Sequence, residues 1–397
     1  MEFSESKCDV GINKIVIISI FLLCILSFYI VLGYRKIIPL QKYGFFFIIL
    51  SFCISYLLTP VMCIFARKTG IIDYPSERKM HKKATPLLGG ISIYLAFGIG
   101  VVSTLWYSSE YKGIVYAATI IFVVGLLDDI FELSSILRLL IQIAAVLVLF
   151  YYKMVIDFIP DPTSFRIFEK IITLIWIIGI TNAVNFLDGL DGLCVGFGAI
   201  AAFFFGIIAL LTSQYFLMFL AFSLSGSCLG FLPWNFRRGE SAKIFMGDAG
   251  SMFIGFTLAS FAIMGNWAEN KAVGLTVPIL ILFLPIFDTT MTTFLRIRDG
   301  EVRTFRQWID YVGKDHFHHR LYEVGIGKWN AVWTMYTVTI MLGFSAIIIR
   351  TGGFVEAYLA LLQACVVLVG FTAFMNYVRK RYNSITSDSV KLINKGE

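Results

Sequence analysis

Long apolar runs, each broken by a short polar link, fill most of this chain of 397 residues. Runs of about 20 residues match the hydrocarbon thickness of a bilayer when helical, and are roughly twice what a tilted barrel strand needs. The pattern predicts twelve helical spans, at roughly 15–33, 45–66, 87–107, 114–131, 136–152, 168–187, 193–212, 215–233, 250–266, 273–296, 331–350 and 355–377. The sixth is the weakest, because Glu169 and Lys170 stand at its start. The run from Ile15 to Leu32 is too long for the core of a signal peptide and lacks a small-residue cleavage site, so it reads as a retained span. Only the link 297–330 is long. Loops of that length are usually functional or disordered, and Trp308, Phe317 and a histidine cluster argue against disorder. The expected architecture is an all-α polytopic membrane protein forming a single integral domain over 1–397, with no evident internal repeat.

Composition agrees: 58% of residues are hydrophobic and 15% charged, where a soluble domain carries about 25% charged residues. The net charge of +7 is unevenly placed. Alternation puts the N-terminus and the links near 67–86, 132–135, 188–192, 234–249, 297–330 and 378–397 on one side. The other side keeps only Arg35, Lys36, Lys42, Lys112, Lys153, Arg166, Lys170, Lys271 and Arg350 of the 33 basic residues. The basic side should be cytoplasmic, and with it both termini. A lipid bilayer is therefore the expected environment, and no nucleic-acid partner is expected. The seven cysteines form no C-x-x-C pair and fall mostly inside spans, which argues against a disulfide framework or a zinc site. The stretch from Arg379 to Arg381 reads as interface anchors ahead of a solvated tail.

Five acids break the apolar pattern: Asp128, Asp129, Asp188, Asp191 and Asp248, each at the end of a run and all on the basic side. An ionised Asp at a bilayer centre costs roughly 2.5–3.5 kcal/mol on insertion scales, so such acids must meet water, a cation or a functional need. Asp128 and Asp129 are adjacent and point different ways on a helix, but at a helix end both can reach one aqueous cleft. Mg²⁺ is the natural counter-charge for like acids, because it takes oxygen ligands and shares them with phosphate. A solvated interfacial pair is the plainer alternative. Asn182, Asn185, Asp188 and Asp191 recur every three residues, and Gly189 and Gly192 suggest that the helix breaks there. Such a break aims side chains into a cavity, with an ordinary polar turn as the alternative. Met246-Gly-Asp-Ala-Gly-Ser251 precedes another apolar run, with Ser251 as a candidate N-cap and the helix start as a candidate anion site.

The segment Asp315-His-Phe-His-His-Arg320 concentrates His316, His318, His319 and Arg320. No cysteine or acid pattern completes a zinc site there, so these side chains read as phosphate donors. Arg78, Lys79 and His81 add a second basic group, although positive-inside topology alone explains basic residues there. Acids for Mg²⁺, cations for phosphates and a lipid wall together suggest phosphoryl transfer to or from a lipid in a cytoplasmic-face cleft.

The motifs, taken in order, resemble the polyprenyl-phosphate N-acetylhexosamine-1-phosphate transferases. They run from Ile71–His81 and Pro86–Gly90 through Leu127–Asp129, Asn182–Leu193 and Met246–Ser251 to His316–Arg320. The nearest branch is the undecaprenyl-phosphate N-acetylglucosamine-1-phosphate transferases. The resemblance implies attack of undecaprenyl phosphate on the β-phosphorus of a UDP-N-acetylhexosamine, with release of UMP, at a bacterial plasma membrane. It implies Asp248 and Asp128 as ligands of Mg²⁺ (Mn²⁺ being an acceptable substitute), and Asp128 and Asp129 as the acids serving lipid phosphate and metal. Asn185, Asp188 and Asp191, with Asn182, would line the nucleotide pocket. His316, His318, His319 and Arg320 would meet diphosphate and sugar, with Arg78, Lys79 and His81 as further substrate contacts. A homodimer is compatible with it. The resemblance divides the chain into an extra N-terminal span over 1–44, a transferase core over 45–377 and a cytoplasmic tail over 378–397.

The segment Glu301–Asp315 is longer than the family's usual approach to the histidine motif. The alternative within the superfamily is a phospho-N-acetylmuramoyl-pentapeptide transferase. It is disfavoured because His-Phe-His-His stands where that branch has three histidines, and no lysine closely follows the acid pair. A polytopic transporter is the alternative from another class, but its polar residues would lie near the midplane of repeated halves.

Overall fold

The computed structural model describes residues 43–75, 83–104, 108–156, 162–304, 307, 316–317, 320–321, 326–370 and 372–373. The expected span at 15–33 lies outside them, as do Arg78, Lys79, His81, His318 and His319. The described chain is almost wholly helical: α1 (Gly44–Thr69), α2 (Gly89–Val102), α3 (Ser109–Phe131), α4 (Ser135–Tyr151), α5 (Pro162–Phe186), α6 (Leu193–Leu211), α7 (Tyr215–Asn235), α8 (Gly247–Met264), α9 (Lys271–Ile281), α10 (Phe283–Arg298), α11 (Lys328–Ile349) and α12 (Phe354–Gly370). A two-residue antiparallel ladder, β1 (Ile72–Asp73) with β2 (Thr85–Pro86), joins α1 to α2.

Seven of these helices are long and apolar enough to cross a membrane. The bent pair α9–α10 makes up to eight, while α2, α4 and α12 are shorter apolar helices. The chain is thus a multi-pass, all-α membrane protein. The region 273–296, expected as one span, is two helices bent by 77° at Leu282. Pro285 explains the break, since it has no N–H and its ring crowds the carbonyl four residues back, that of Ile281.

Three helices form the middle. Along α8 every residue from Ala249 to Phe261 is buried, and α6 and α7 are nearly as enclosed. Around them pack α1 and α2 against α7, α3 and α5 against α8, and α11 against α6. Lipid tails give apolar helices no hydrophobic reason to associate, so close packing must hold the bundle. Phe197, Phe205, Phe222, Phe231, Phe253, Phe256 and Phe261 are fully buried in it. Small residues bring backbones together: Ser225 on α7 donates to the Ala199 carbonyl of α6 (2.9 Å), and a methyl added at Gly125 on α3 would lie 2.6 Å from the Ala249 Cα. The large apolar side chains that remain exposed lie mostly on α1, α3, α4, α5, α11 and α12, where lipid would cover them.

Candidate active site

The site is built where helices end. Inside a bilayer only helix termini leave backbone groups without partners, and side chains must satisfy them. At its C-terminus α3 closes in a left-handed turn at Glu132 (φ 49°). Asp128 holds that turn, its Oδ1 accepting the Leu133 N–H at 2.7 Å. Ser134 then caps α4 by accepting from Leu137 N–H (3.3 Å).

Asp129 has a different task. Both of its oxygens accept backbone N–H groups at the start of α8, from Asp248 (2.8 Å) and Ala249 (3.1 Å). Gly247 just before them has φ 68°, and any Cβ there would strike the Asp129 carboxylate. Two sequence expectations are corrected here. Ser251 does not cap α8; the helix begins at Gly247, and the Ser251 hydroxyl donates to the Gly247 carbonyl (3.0 Å). Nor is that terminus open to an anion, because the carboxylate of α3 already fills it.

Asp248 faces the other way. Its Oδ1 accepts from Asn185 Nδ2 (2.8 Å), which also donates to Ser251 Oγ (2.8 Å). Its Oδ2 meets Arg138 Nη1 at 3.1 Å, and the same nitrogen lies 2.8 Å from Asp128 Oδ2. Asp128, Asp248 and Asn185 therefore form one cluster around a guanidinium from the first turns of α4.

The predicted break after α5 is present. The helix stops at Phe186, Asp188 sits in a short 3₁₀ turn, and Gly192 has φ 85° before α6 begins. Gly192 is gripped from two sides: its N–H donates to Asn235 Oδ1 (2.7 Å) and its carbonyl accepts from Tyr336 Oη (2.5 Å). A Cβ there would run into the Phe236 ring, itself stacked on Trp329 at 4.2 Å. The grip holds Asp188 within electrostatic reach of Asp248, Asp129 and Asp191. Asp191 turns toward the 236–245 segment, accepting from Ala242 N–H at 3.4 Å. Asn182 is spent elsewhere: its amide pairs with Gln142 of α4 (2.9 and 3.3 Å) and binds the Ile178 carbonyl (2.8 Å).

His316 reaches this region from the long link. Its Nδ1 lies 3.0 Å from Asp288 Oδ2, the other Asp288 oxygen accepts the Phe317 N–H at 2.7 Å, and its ring packs on Phe186 beside the acid turn. The Asp288 carboxylate accepts from Nδ1, which orients the ring and places Nε2 on its opposite side. Arg320 is close enough to Asp299 to attract it; the Arg298 hydrogen bond first, and Arg320 with it, hold the Asp299 carboxyl below its ordinary range.

Residues 111–266 match glycosyl transferase family 4. The chain is 34% identical over 314 residues to the probable undecaprenyl-phosphate N-acetylglucosaminyl 1-phosphate transferase of Bacillus subtilis (strain 168), covering 77% of this chain and 85% of that one. The chain belongs to glycosyl transferase family 4. It is also 32% identical to a decaprenyl-phosphate N-acetylglucosaminephosphotransferase of Mycobacterium leprae (74% of this chain, 80% of that one). To an undecaprenyl-phosphate alpha-N-acetylglucosaminyl 1-phosphate transferase of Thermotoga maritima it is 29% identical (79% and 93%).

Sequence reasoning did not find Arg138, Asp288, Asn235, Gln142 or Tyr336. Asp288 carried a readable signal, as the only acid between Lys271 and Arg298. Nothing in spacing points to the others, because their partners come from distant helices.

Among the described residues no three carboxylate, imidazole or thiol groups form a ready-made metal cage. The donor set nonetheless fits Mg²⁺ or Mn²⁺. It is all oxygen, two carboxylate oxygens already reach one point, and Mg²⁺ ordinarily fills its shell with water and substrate phosphate rather than protein.

Proposed function

We propose that the protein transfers N-acetylglucosamine 1-phosphate from UDP-N-acetylglucosamine to undecaprenyl phosphate, releasing UMP, in the bacterial plasma membrane with its site toward the cytoplasm. A lipid-phosphate oxygen attacks the sugar-bearing phosphorus, the bond to the bridging oxygen of the diphosphate breaks, and UMP leaves with that oxygen and its electron pair. Relatives at 27–34% identity bearing N-acetylglucosamine transferase names over most of the chain are what carry the reading. They favour it over a muramoyl-pentapeptide or transport role.

Asp128 and Asp248 would hold Mg²⁺, which would draw charge from the diphosphate and stabilise the leaving group. The chain's own residues do the positioning. Asn185 orients Asp248, and Asp129 fixes the start of α8 beneath it. Asp188 and Asp191, gripped through Gly192, would line the nucleotide side. His316, oriented by Asp288, would donate to diphosphate or sugar when protonated; Arg320 and, outside the described residues, Arg78, Lys79, His81, His318 and His319 would be further substrate contacts. A lipid phosphate is already anionic near neutral pH, so the reaction needs no strong general base. The arrangement of acids and cations at one end of the bundle supports a site at one membrane face, and the basic bias of that side supports the cytoplasmic one.

The test is purified protein in nanodiscs with undecaprenyl phosphate and a panel of UDP-sugars, reading UMP release and product mass. Mg²⁺-dependent release from UDP-N-acetylglucosamine is expected. No release with any UDP-N-acetylhexosamine would overturn the assignment.

A further inference from the structure

The guanidinium between Asp128 and Asp248 occupies the place where a cation is wanted. Arg138 Nη1 sits 2.8 Å from Asp128 Oδ2 and 3.1 Å from Asp248 Oδ2. Both acids are anchored independently of it. Asp128 keeps its other oxygen on the Leu133 N–H, and Asp248 keeps its other oxygen on Asn185. The acids are therefore fixed and the arginine is the movable member. Its side chain is 32% exposed, as is that of Asp248 (33%), against 6% for Asp128, so the solvent-facing side of the bridge gives it a path away from the pair. Its position is also unfavourable on its own helix. Arg138 lies in the first turns of α4, near the positive end of the helix dipole, where a cation is disfavoured. The acids account for its placement; the helix does not.

We propose that Arg138 is a resident counter-cation that exchanges with the divalent ion. In the metal-free protein it neutralises the Asp128–Asp248 pair, and metal entry requires it to leave that bridge. Two oxygens that reach one nitrogen atom can reach one ion, but a guanidinium has no lone pair to lend a metal and its charge opposes a second cation at the same point. The proposal rests on the reading of Asp128 and Asp248 as the metal site.

The experiment measures Mn²⁺ binding by electron paramagnetic resonance, in nanodiscs without nucleotide or lipid phosphate. It compares the wild type with Arg138→Gln and Arg138→Lys. Exchange predicts Mn²⁺ binding at least tenfold tighter in Arg138→Gln, with Arg138→Lys near the wild type. A brace that merely shapes the site predicts the opposite sign, so equal or weaker binding in Arg138→Gln overturns the exchange. No saturable binding to any of the three overturns the metal site along with it. UMP release, assayed separately, shows whether the transferase reading itself stands. A second measurement needs no variant: phenylglyoxal labelling of wild-type Arg138, followed by mass spectrometry, should quicken severalfold when Mn²⁺ is added. Unchanged or slower labelling refutes displacement.

Discussion

Asp129 offers the sharpest separation between architecture and chemistry, because sequence places it beside Asp128 while the structure gives it a different task. Asp129→Asn keeps size and shape but removes the charge and one of two acceptor oxygens. The retained oxygen can still take one of the two N–H groups now held at 2.8 and 3.1 Å; the new amide turns a donor toward the other. A hydrogen bond to a charged group is worth about 1.5–3 kcal/mol, and a carboxylate at a helix N-terminus adds about 0.3–1 kcal/mol. The expected loss is therefore about 2–4 kcal/mol of stability. Asp128→Asn gives up the Asp128–Arg138 ion pair but should cost less, since an amide oxygen can still accept from Leu133, Arg138 keeps Asp248, and the charge repulsion with Asp248 is relieved. Both variants are to be unfolded thermally in detergent with a chelator present, so that lost metal cannot imitate a lost cap. Asp129→Asn should melt several degrees below the wild type and Asp128→Asn close to it, although both lose transferase activity. Equal melting temperatures for Asp129→Asn and the wild type would refute the capping role.

Three further substitutions test the rest of the site. Asp248→Asn should insert and fold normally yet lose at least a hundredfold in turnover, and a wild-type rate would remove Asp248 from the reaction centre. Tyr336→Phe deletes the hydroxyl bound to the Gly192 carbonyl; it should cost about 1–2 kcal/mol and raise KM for the UDP-sugar as the acid turn loosens, whereas unchanged stability and KM would show the grip to be idle. Asp288→Asn leaves His316 without its orienting carboxylate and should raise KM for the UDP-sugar about tenfold, worth ~1.4 kcal/mol, with folding intact; an unaltered KM and pH profile would exclude His316 from substrate contact.

Hydrophobic runs reveal helices well, because each span must satisfy its own backbone and advertise its length in apolar residues. The break after Phe186 was legible too, in Gly189 and Gly192. The bend at Leu282 was not, because averaging hydropathy over 273–296 erases Pro278 and Pro285, whose effects are local. The acids were found because charge in an apolar chain needs a reason, and by that same rule Asp288 could have been found. What sequence could not do was sort the acids. Asp129 differs from Asp128 only in what it faces, and that partner lies 119 residues away along the chain. Arg138 was invisible for the same reason: its meaning comes from Asp248, 110 residues distant.

That difficulty follows from building a reaction centre inside a membrane protein. Helix ends are the only places where the backbone is open and water can enter, so structural caps and reactive groups compete for the same few positions. Asp129 closes the end of α8 while its neighbour Asp128 and its target Asp248 face the cation. Asn185 ties Asp248 to Ser251, and Tyr336 steadies the acid turn from α11. An acid at a span end is therefore evidence of a site, but its role is set by the count of N–H groups already bound to it. Asp129 accepts a backbone N–H on each of its oxygens, whereas Asp128 and Asp248 each accept one N–H and turn the second oxygen toward Arg138. On the proposed reading, that difference in partners, rather than the Asp-Asp sequence itself, is why Asp128 and Asp248 would be the pair to share an ion.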